Sequence, residues 1–407
     1  MKLIWPPEPM CETKITGTGV TITEQIFGAL SQDSENPLSR VSVANSSFSL
    51  DPFRGCPARC SYCTVAGASR DIIIVRDKKD DKFRVQLPSK PEMLFSGYQL
   101  AEALIRHPAF IKDRSVISIG TGSTEAFLPE VERETWNIME AMLKEGYKNP
   151  FWIATKMSIP DQFAQTWSDR FLRLTQNGIR VLLSVTHSGA PSWVEPYQGN
   201  RFRNMELMKS SGAHISLHLR PIIRGVNDSR DCLAKALDTS MPIAEAVCVG
   251  GLRNDSGVGI AWKVVYKLSP SLLPPTTNRE KTIPDGYVER VREYLVQRGW
   301  ATVPIFTKSS EVISKLLGLP EYNLYKYRPD DTKCFLSIPR AVQNKVRLAY
   351  GMSVADLIKS TSKTIGLIGI SAKLDGEEIT LNRDLSYQEH RALIHAIGHT
   401  GVLDEFE

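Results

Sequence analysis

Between residues 115 and 249 the chain alternates short apolar runs with longer amphipathic ones, and this alternation limits the fold more than any other feature. Residues 115–120 (SVISIG), 150–155 (PFWIAT), 180–185 (RVLLSV), 213–219 and 246–249 each read as a buried strand. Such runs are too short for a helix and suit strands covered on both faces. Residues 130–145, 160–177 and 204–212 read as helices between them, the last two closing on a glycine at or just past the periodic residues. Strand and helix in turn over about 200 residues predict a parallel sheet or barrel. Right-handed crossovers then bring every strand's C-terminal end to one side. With the run that leads into Pro52 there are about six such strands, so the expected fold is α/β, a partial (β/α)6 barrel of TIM type.

Around this core, residues 1–44 read as an N-terminal extension and 45–265 as the barrel. Residues 71–75 and 82–87 flank a charged tip and predict a β-hairpin insertion near 71–87. Pro270, Pro274 and Pro275 lie in a Ser/Thr-rich linker. Residues 266–407 form an α+β C-terminal region, with a helix over 284–299 and a part packed over the barrel mouth. Another helix is expected over 387–399, where His395 and His399 share a face.

Lys plus Arg outnumber Asp plus Glu by 50 to 45, a balance that permits an anionic partner without demanding one. The first ten residues hold three prolines and no long apolar run, unlike a signal peptide. No stretch of about 18 uninterrupted apolar residues predicts a membrane span. Seven cysteines is an odd number, and three of them fall between residues 56 and 63. That spacing fits a metal site in a reducing compartment, the cytoplasm, better than a secreted disulfide framework.

The segment 51–63 reads D-P-F-R-G-C-P-A-R-C-S-Y-C, a C-x3-C-x2-C spacing built from Cys56, Cys60 and Cys63. Three thiolates on one loop suit three irons of a 4Fe–4S cluster and leave the fourth iron open, as chemistry at a metal requires. A zinc site or a closed four-cysteine cluster would each need a fourth ligand, and Cys232, Cys248 and Cys334 are singletons. Gly55 and Pro57 suit a loop wrapped closely around a cluster. The ring of Tyr62 is placed to lie against an aromatic cofactor group.

Thr121, Ser123 and Glu125 follow the strand at 115–120, where small hydroxyls suit an amino or ribose group, with a helix N-cap as the alternative. Lys156 ends the next strand, which aims an ammonium into the mouth, with a carboxylate as its natural partner. Ser184 lies in the strand after that, and Glu195 beyond it meets ribose hydroxyls or an arginine such as Arg203.

The cysteine spacing after a first strand resembles the signature of the radical S-adenosylmethionine (radical SAM) superfamily. The chain is similar, more narrowly, to its spore photoproduct lyase and DNA repair photolyase-like branch. The stretches that carry the likeness are 51–63, TGSTEAFLPEVE (121–132), ATK (154–156), LSVT (183–186), EP (195–196) and RPIIRGVND (220–228), with PIFTKSSEVIS (304–314) and EYNLY (321–325) near the end. The resemblance implies a partial barrel of the radical SAM type. It implies a 4Fe–4S cluster on Cys56, Cys60 and Cys63, and S-adenosylmethionine held by Tyr62, Thr121, Ser123, Lys156, Ser184 and Glu195. It also implies an external electron donor of flavodoxin or ferredoxin type and hydrogen abstraction by a 5′-deoxyadenosyl radical. The substrate expected from this branch is a nucleic acid or nucleotide. An enzyme acting on a small molecule or peptide, and a non-catalytic Fe–S protein, are the other readings. Spore photoproduct lyase carries a hydrogen-donating cysteine directly before the serine aligned with Ser123, where this chain has Gly122. Cys248 is the candidate replacement donor, with a buried structural role as its alternative.

Overall fold

An uninterrupted apolar run folds as a strand when helices or other layers cover both its faces. The computed structural model places the apolar runs in that way. It describes residues 37–43, 47–58, 60, 73–76, 83–86, 90–107, 109–121, 124–192, 194–195, 197–252, 283–319 and 334–337. It also describes 340, 343–344, 347, 351–364, 367, 369–376, 378–385, 389, 392–393 and 395. The strands are β1 (Val41–Val43), β2 (Phe48–Leu50), β3 (Phe53–Arg54), β4 (Ile73–Arg76), β5 (Phe83–Gln86), β6 (Glu92–Met93), β7 (Ile117–Ile119), β8 (Phe151–Thr155), β9 (Val181–Thr186), β10 (His214–Ile222), β11 (Ala246–Gly251), β12 (Ile305–Phe306), β13 (Cys334–Ser337), β14 (Ala372–Asp375) and β15 (Glu378–Leu381). The helices are α1 (Gly97–Ile105), α2 (Glu132–Lys144), α3 (Asp161–Gln176), α4 (Met205–Ser210), α5 (Arg230–Ser240), α6 (Tyr287–Gln297), α7 (Ser309–Leu317) and α8 (Val354–Thr364).

Eight strands form one sheet in the order β1-β2-β7-β8-β9-β10-β11-β12. β1 is antiparallel to β2, and every other neighbouring pair is parallel. Parallel neighbours in strict chain order are the wiring of a barrel wall, whereas a doubly wound sheet reverses direction midway. The fold is therefore α/β, and among the described residues no ladder joins β12 back to β1. The sequence predicts about six parallel strands. The structure adds a seventh, β12, from beyond residue 266, because two residues after Pro304 give too short an apolar signal to read as a strand.

Alternation along the strands separates two faces. Phe48, Ile117, Phe151, Ile153, Leu183, Val185, Ile215, Leu217 and Val247 share the main core with the apolar sides of α1 to α6. α3 shows how a helix meets this face: Trp167, Phe171 and Leu174 recur at helical spacing, and all three are fully buried. The other face is the inner one. Its register rows run Ser49–Ser118–Trp152, then Ala154–Ser184–Ser216–Ala246, then Thr186–His218–Cys248–Phe306.

α7 covers this inner face. Val312, Ile313 and Leu317 pack with Trp152, Leu182, Ala246 and Cys248. Arg220, near the end of β10, donates to the Ser309 hydroxyl at 2.7 Å, and Arg180, before β9, donates to the Leu317 carbonyl. α7 thus runs antiparallel to the strands. At about 1.5 Å per residue it spans most of their length.

β13, β15 and β14 make a separate antiparallel sheet, and β4 pairs antiparallel with β5. His395 is fully buried against the edge of Phe48 and hydrogen-bonds Ser115 at 2.9 Å, so it ties the C-terminal region to β2. His399 lies outside the described residues. No described helix is long and apolar enough to cross a membrane.

Candidate functional site

Loops that leave the C-terminal ends of parallel strands open on one side, and there the chemistry of such sheets collects. The cysteine loop leaves β2. Arg40 anchors its base, donating from Nε to the Asp51 carbonyl at 3.2 Å and from Nη2 to the Phe53 carbonyl at 2.9 Å. β3 pairs antiparallel with β6 and fixes the next step. Gly55 has φ 83°, a left-handed turn that a side chain would strain, and it redirects the chain into Cys56. Cys56 is half-buried, Cys60 is 5% exposed, and neither is in a disulfide. Tyr62 and Cys63 lie outside the described residues.

This loop reaches across the mouth. Phe53 packs with Leu128, Val131 and Met157, from the segments after β7 and β8. Cys60 packs with Ala190 and Val194 from the loop after β9, Ile223 from that after β10 and Leu252 from that after β11. Segments far apart in sequence therefore meet on one short stretch of chain.

The loop after β7 begins at Gly120 (φ +74°), where an added Cβ would stand 2.7 Å from the Ala154 carbonyl oxygen. Glycine alone lets that loop lie so close to β8. Thr121 shares hydrogen bonds with Ser49 at 2.8 Å and Ser118 at 3.1 Å, joining the ends of β2 and β7. Ser123 lies outside the described residues. Glu125 is buried and accepts from the Thr155 hydroxyl at 2.7 Å and the Lys156 amide at 2.9 Å. That carboxylate pins the loop to β8 and fixes the backbone of Lys156. Lys156 is half-buried and continues the alternation of the inner-face residues Trp152 and Ala154.

Thr124, which no spacing or motif of its own marks out, is 8% exposed, and its buried hydroxyl has no hydrogen-bond partner among the described residues. A buried hydroxyl ordinarily has one.

Ser184 is fully buried on the inner face. It accepts from Trp152 Nε1 at 2.8 Å and shares a hydrogen bond with Ser216 at 2.9 Å. Cys248 is buried there too, in register with His218 and packed in the cluster that α7 caps.

Glu195 is paired with Arg201 at 2.9 Å, both side chains 1% exposed. Arg203, the arginine expected from the sequence as an example of a partner for Glu195, instead pairs with Asp161 at the surface. A buried carboxylate requires a buried cation, and Arg201 is the one turned inward. Its guanidinium donates to the Thr186 carbonyl at 2.7 Å and the Tyr197 carbonyl at 2.5 Å. The Tyr197 hydroxyl meets Ser158 at 3.1 Å and so links the loops after β8 and β9. Burial, with the charges of Arg201 and Lys235 beside it, pushes His187 down to about 3 and leaves its ring neutral near pH 7.

Asn227, also missed in the sequence, is a fully buried hub. Its Oδ1 accepts from the Ile223 amide at 2.7 Å, and its Nδ2 donates to the carbonyls of Ser188 at 3.0 Å and Pro221 at 2.9 Å. A lone amide in the G-V-N-D turn after a strand was the only signal available for it. Among the described residues no three His, Cys, Asp or Glu side chains gather to hold a metal.

No family model matches the chain, and no curated protein is significantly similar to it in sequence. Among solved structures it is similar to a spore photoproduct lyase variant with dinucleoside spore photoproduct, at 11% identity and a TM-score of 0.42, over 64% of this chain and 78% of that one. It is also similar to SuiB of Streptococcus suis bound to S-adenosylmethionine, at 12% identity and a TM-score of 0.38, over 71% of this chain and 55% of that one. Native anSMEcpe with bound AdoMet aligns at 12% identity and a TM-score of 0.36, over 66% of each chain.

Proposed function

We propose that this chain is a radical SAM enzyme whose Cys56, Cys60 and Cys63 hold a 4Fe–4S cluster with one iron open to S-adenosylmethionine. The observation that carries this reading is the position of the C-x3-C-x2-C loop. It leaves the C-terminal end of the first parallel strand, and the segments after β7 to β11 grip it. The donor set fits the group: two thiol side chains outside any disulfide, on a tightly turned loop, with a third cysteine three residues beyond Cys60. The orphaned Thr124 hydroxyl in the neighbouring loop fits a polar ligand at the same mouth.

When bound at Cys56, Cys60 and Cys63, such a cluster would supply one-electron reductive cleavage of S-adenosylmethionine, and with it hydrogen-abstraction chemistry at a substrate carbon. The chain's own residues bind and orient. In this reading Lys156 holds the cofactor's carboxylate, with its backbone set by Glu125. Thr121 and Ser123 hold the amino or ribose groups, and the ring of Tyr62 lies against the adenine. Ser184 and Glu195 act one layer back, through Trp152 and Arg201. The apolar packing around Cys60 keeps water from the cluster side of the mouth. The electron comes from an external donor of flavodoxin or ferredoxin type. The substrate we favour is a nucleic acid or nucleotide, since Arg203 and Arg224 stand exposed in the loops after β9 and β10, at this end of the sheet.

Anaerobic reconstitution with iron and sulfide, then dithionite reduction with S-adenosylmethionine, tests the proposal. Wild type forms 5′-deoxyadenosine and Cys60→Ala does not. A wild type that loads a cluster yet forms none would sink the reading.

A further inference from the structure

Resting on that reading, we infer that Val194, Ile223 and Leu252 form an apolar wall against Cys60 that sets the reduction potential of the cluster, with Asn227 and Arg201 as its positioning residues. Two observations point the same way. The first is the asymmetry of the two described cysteines: Cys56 is half-buried, whereas Cys60 is closed in by Ala190, Val194, Ile223 and Leu252 from three separate loops. A cluster's potential follows its solvent exposure and the polar groups about its sulfurs, and the reduced form carries the larger negative charge. A dry wall therefore disfavours reduction and keeps the potential low, as cleavage of a sulfonium demands.

The second observation is how the wall is held. Loops after strands are ordinarily free to shift, yet these are fixed by buried polar contacts. Asn227 accepts from the amide of Ile223, itself a wall residue, and donates to Ser188 on the loop that carries Val194. One buried side chain thus locks two sides of the wall together. Arg201 clamps the same loop from its far end, through Glu195 immediately after Val194 and through the last carbonyl of β9, that of Thr186. Buried polar groups so fully engaged rigidify what they connect. None of these contacts reaches Cys60 directly, so the two residues act through the wall.

The experiment uses the reconstituted full chain and three variants. Val194→Thr keeps the side-chain volume and adds one hydroxyl to the wall. Asn227→Leu keeps the approximate volume of the hub and removes its three hydrogen bonds without adding a charge. Val296→Thr, on an exposed position of α6, is the control. The readouts are the midpoint potential from an EPR-monitored redox titration and the rate of iron loss to a chelator in the absence of substrate. We expect both wall variants to shift the potential to less negative values and to lose iron several-fold faster, with the control at the wild-type value. Circular dichroism matching wild type shows that Val194→Thr is folded. A folded, loaded Val194→Thr with wild-type potential and chelation rate overturns the inference and leaves the function standing. A wild type that takes up no iron overturns the function and the inference with it.

Discussion

The outer face of the sheet and its C-terminal mouth are both buried, but they are built from opposite materials. The outer face is a continuous apolar layer in which Phe151, Ile153, Leu183, Val185, Ile215 and Leu217 meet the helices. At the mouth, burial instead encloses charge and hydrogen bonds: Glu195 on Arg201, Glu125 on Thr155 and Lys156, Asn227 on three backbone groups. Apolar burial stabilises without direction. Buried polar contacts add little net stability but fix geometry, because each demands its own partner. The outer face accounts for the persistence of the fold, and the mouth for the placement of its loops.

Removing one member of the mouth's ion pair gives the largest break in this comparison. Arg201→Leu leaves the Glu195 carboxylate buried and unpaired and costs about 3–5 kcal/mol of stability. Glu195→Gln together with Arg201→Leu recovers much of that loss, because no buried charge is then left alone. Urea unfolding of the two single variants and the double variant measures the coupling. Additive losses would show that the pair is not a unit.

The outer layer encloses titratable groups too, and one of them, His107, gives a smaller, pH-dependent effect. His107 packs on the edge of Phe48, and burial pushes its ring down to about 4. In the unfolded chain it titrates near 6.5. Between those values the unfolded state binds more protons, so stability rises with pH there. The contribution is complete above about 6.5 and is lost as pH falls toward 4, amounting to about 3 kcal/mol at most. Comparing wild type with His107→Gln by thermal unfolding from pH 7 to 4 isolates it. An equal slope in both proteins would contradict the assignment.

The same contrast explains what could be read in the sequence. The strands predicted at 150–155 and 180–185 fall at Phe151–Thr155 and Val181–Thr186, and the helix predicted at 160–177 at Asp161–Gln176. Apolar periodicity is a local property, and the outer layer is made of it. α5 carries periodicity too weak to read as a helix, and β12 is too short to show any. At the mouth, residue types were legible but their partners were not. Cys56, Cys60 and Lys156 stand out by spacing and by position after a strand. The choice of Arg201 over Arg203 for Glu195, and the hub at Asn227, depend on which side chain packing turns inward. Residues two apart in an irregular loop offer no period from which to read that.

The open iron is the central claim, and EPR of the reduced, reconstituted protein with and without S-adenosylmethionine tests it most directly. A cluster held by three cysteines has a site for the cofactor, so adding S-adenosylmethionine should change the g-values of the reduced cluster, and Cys60→Ala should abolish the signal. A fully formed cluster whose spectrum is indifferent to S-adenosylmethionine would contradict the account and identify a closed, electron-carrying or structural site.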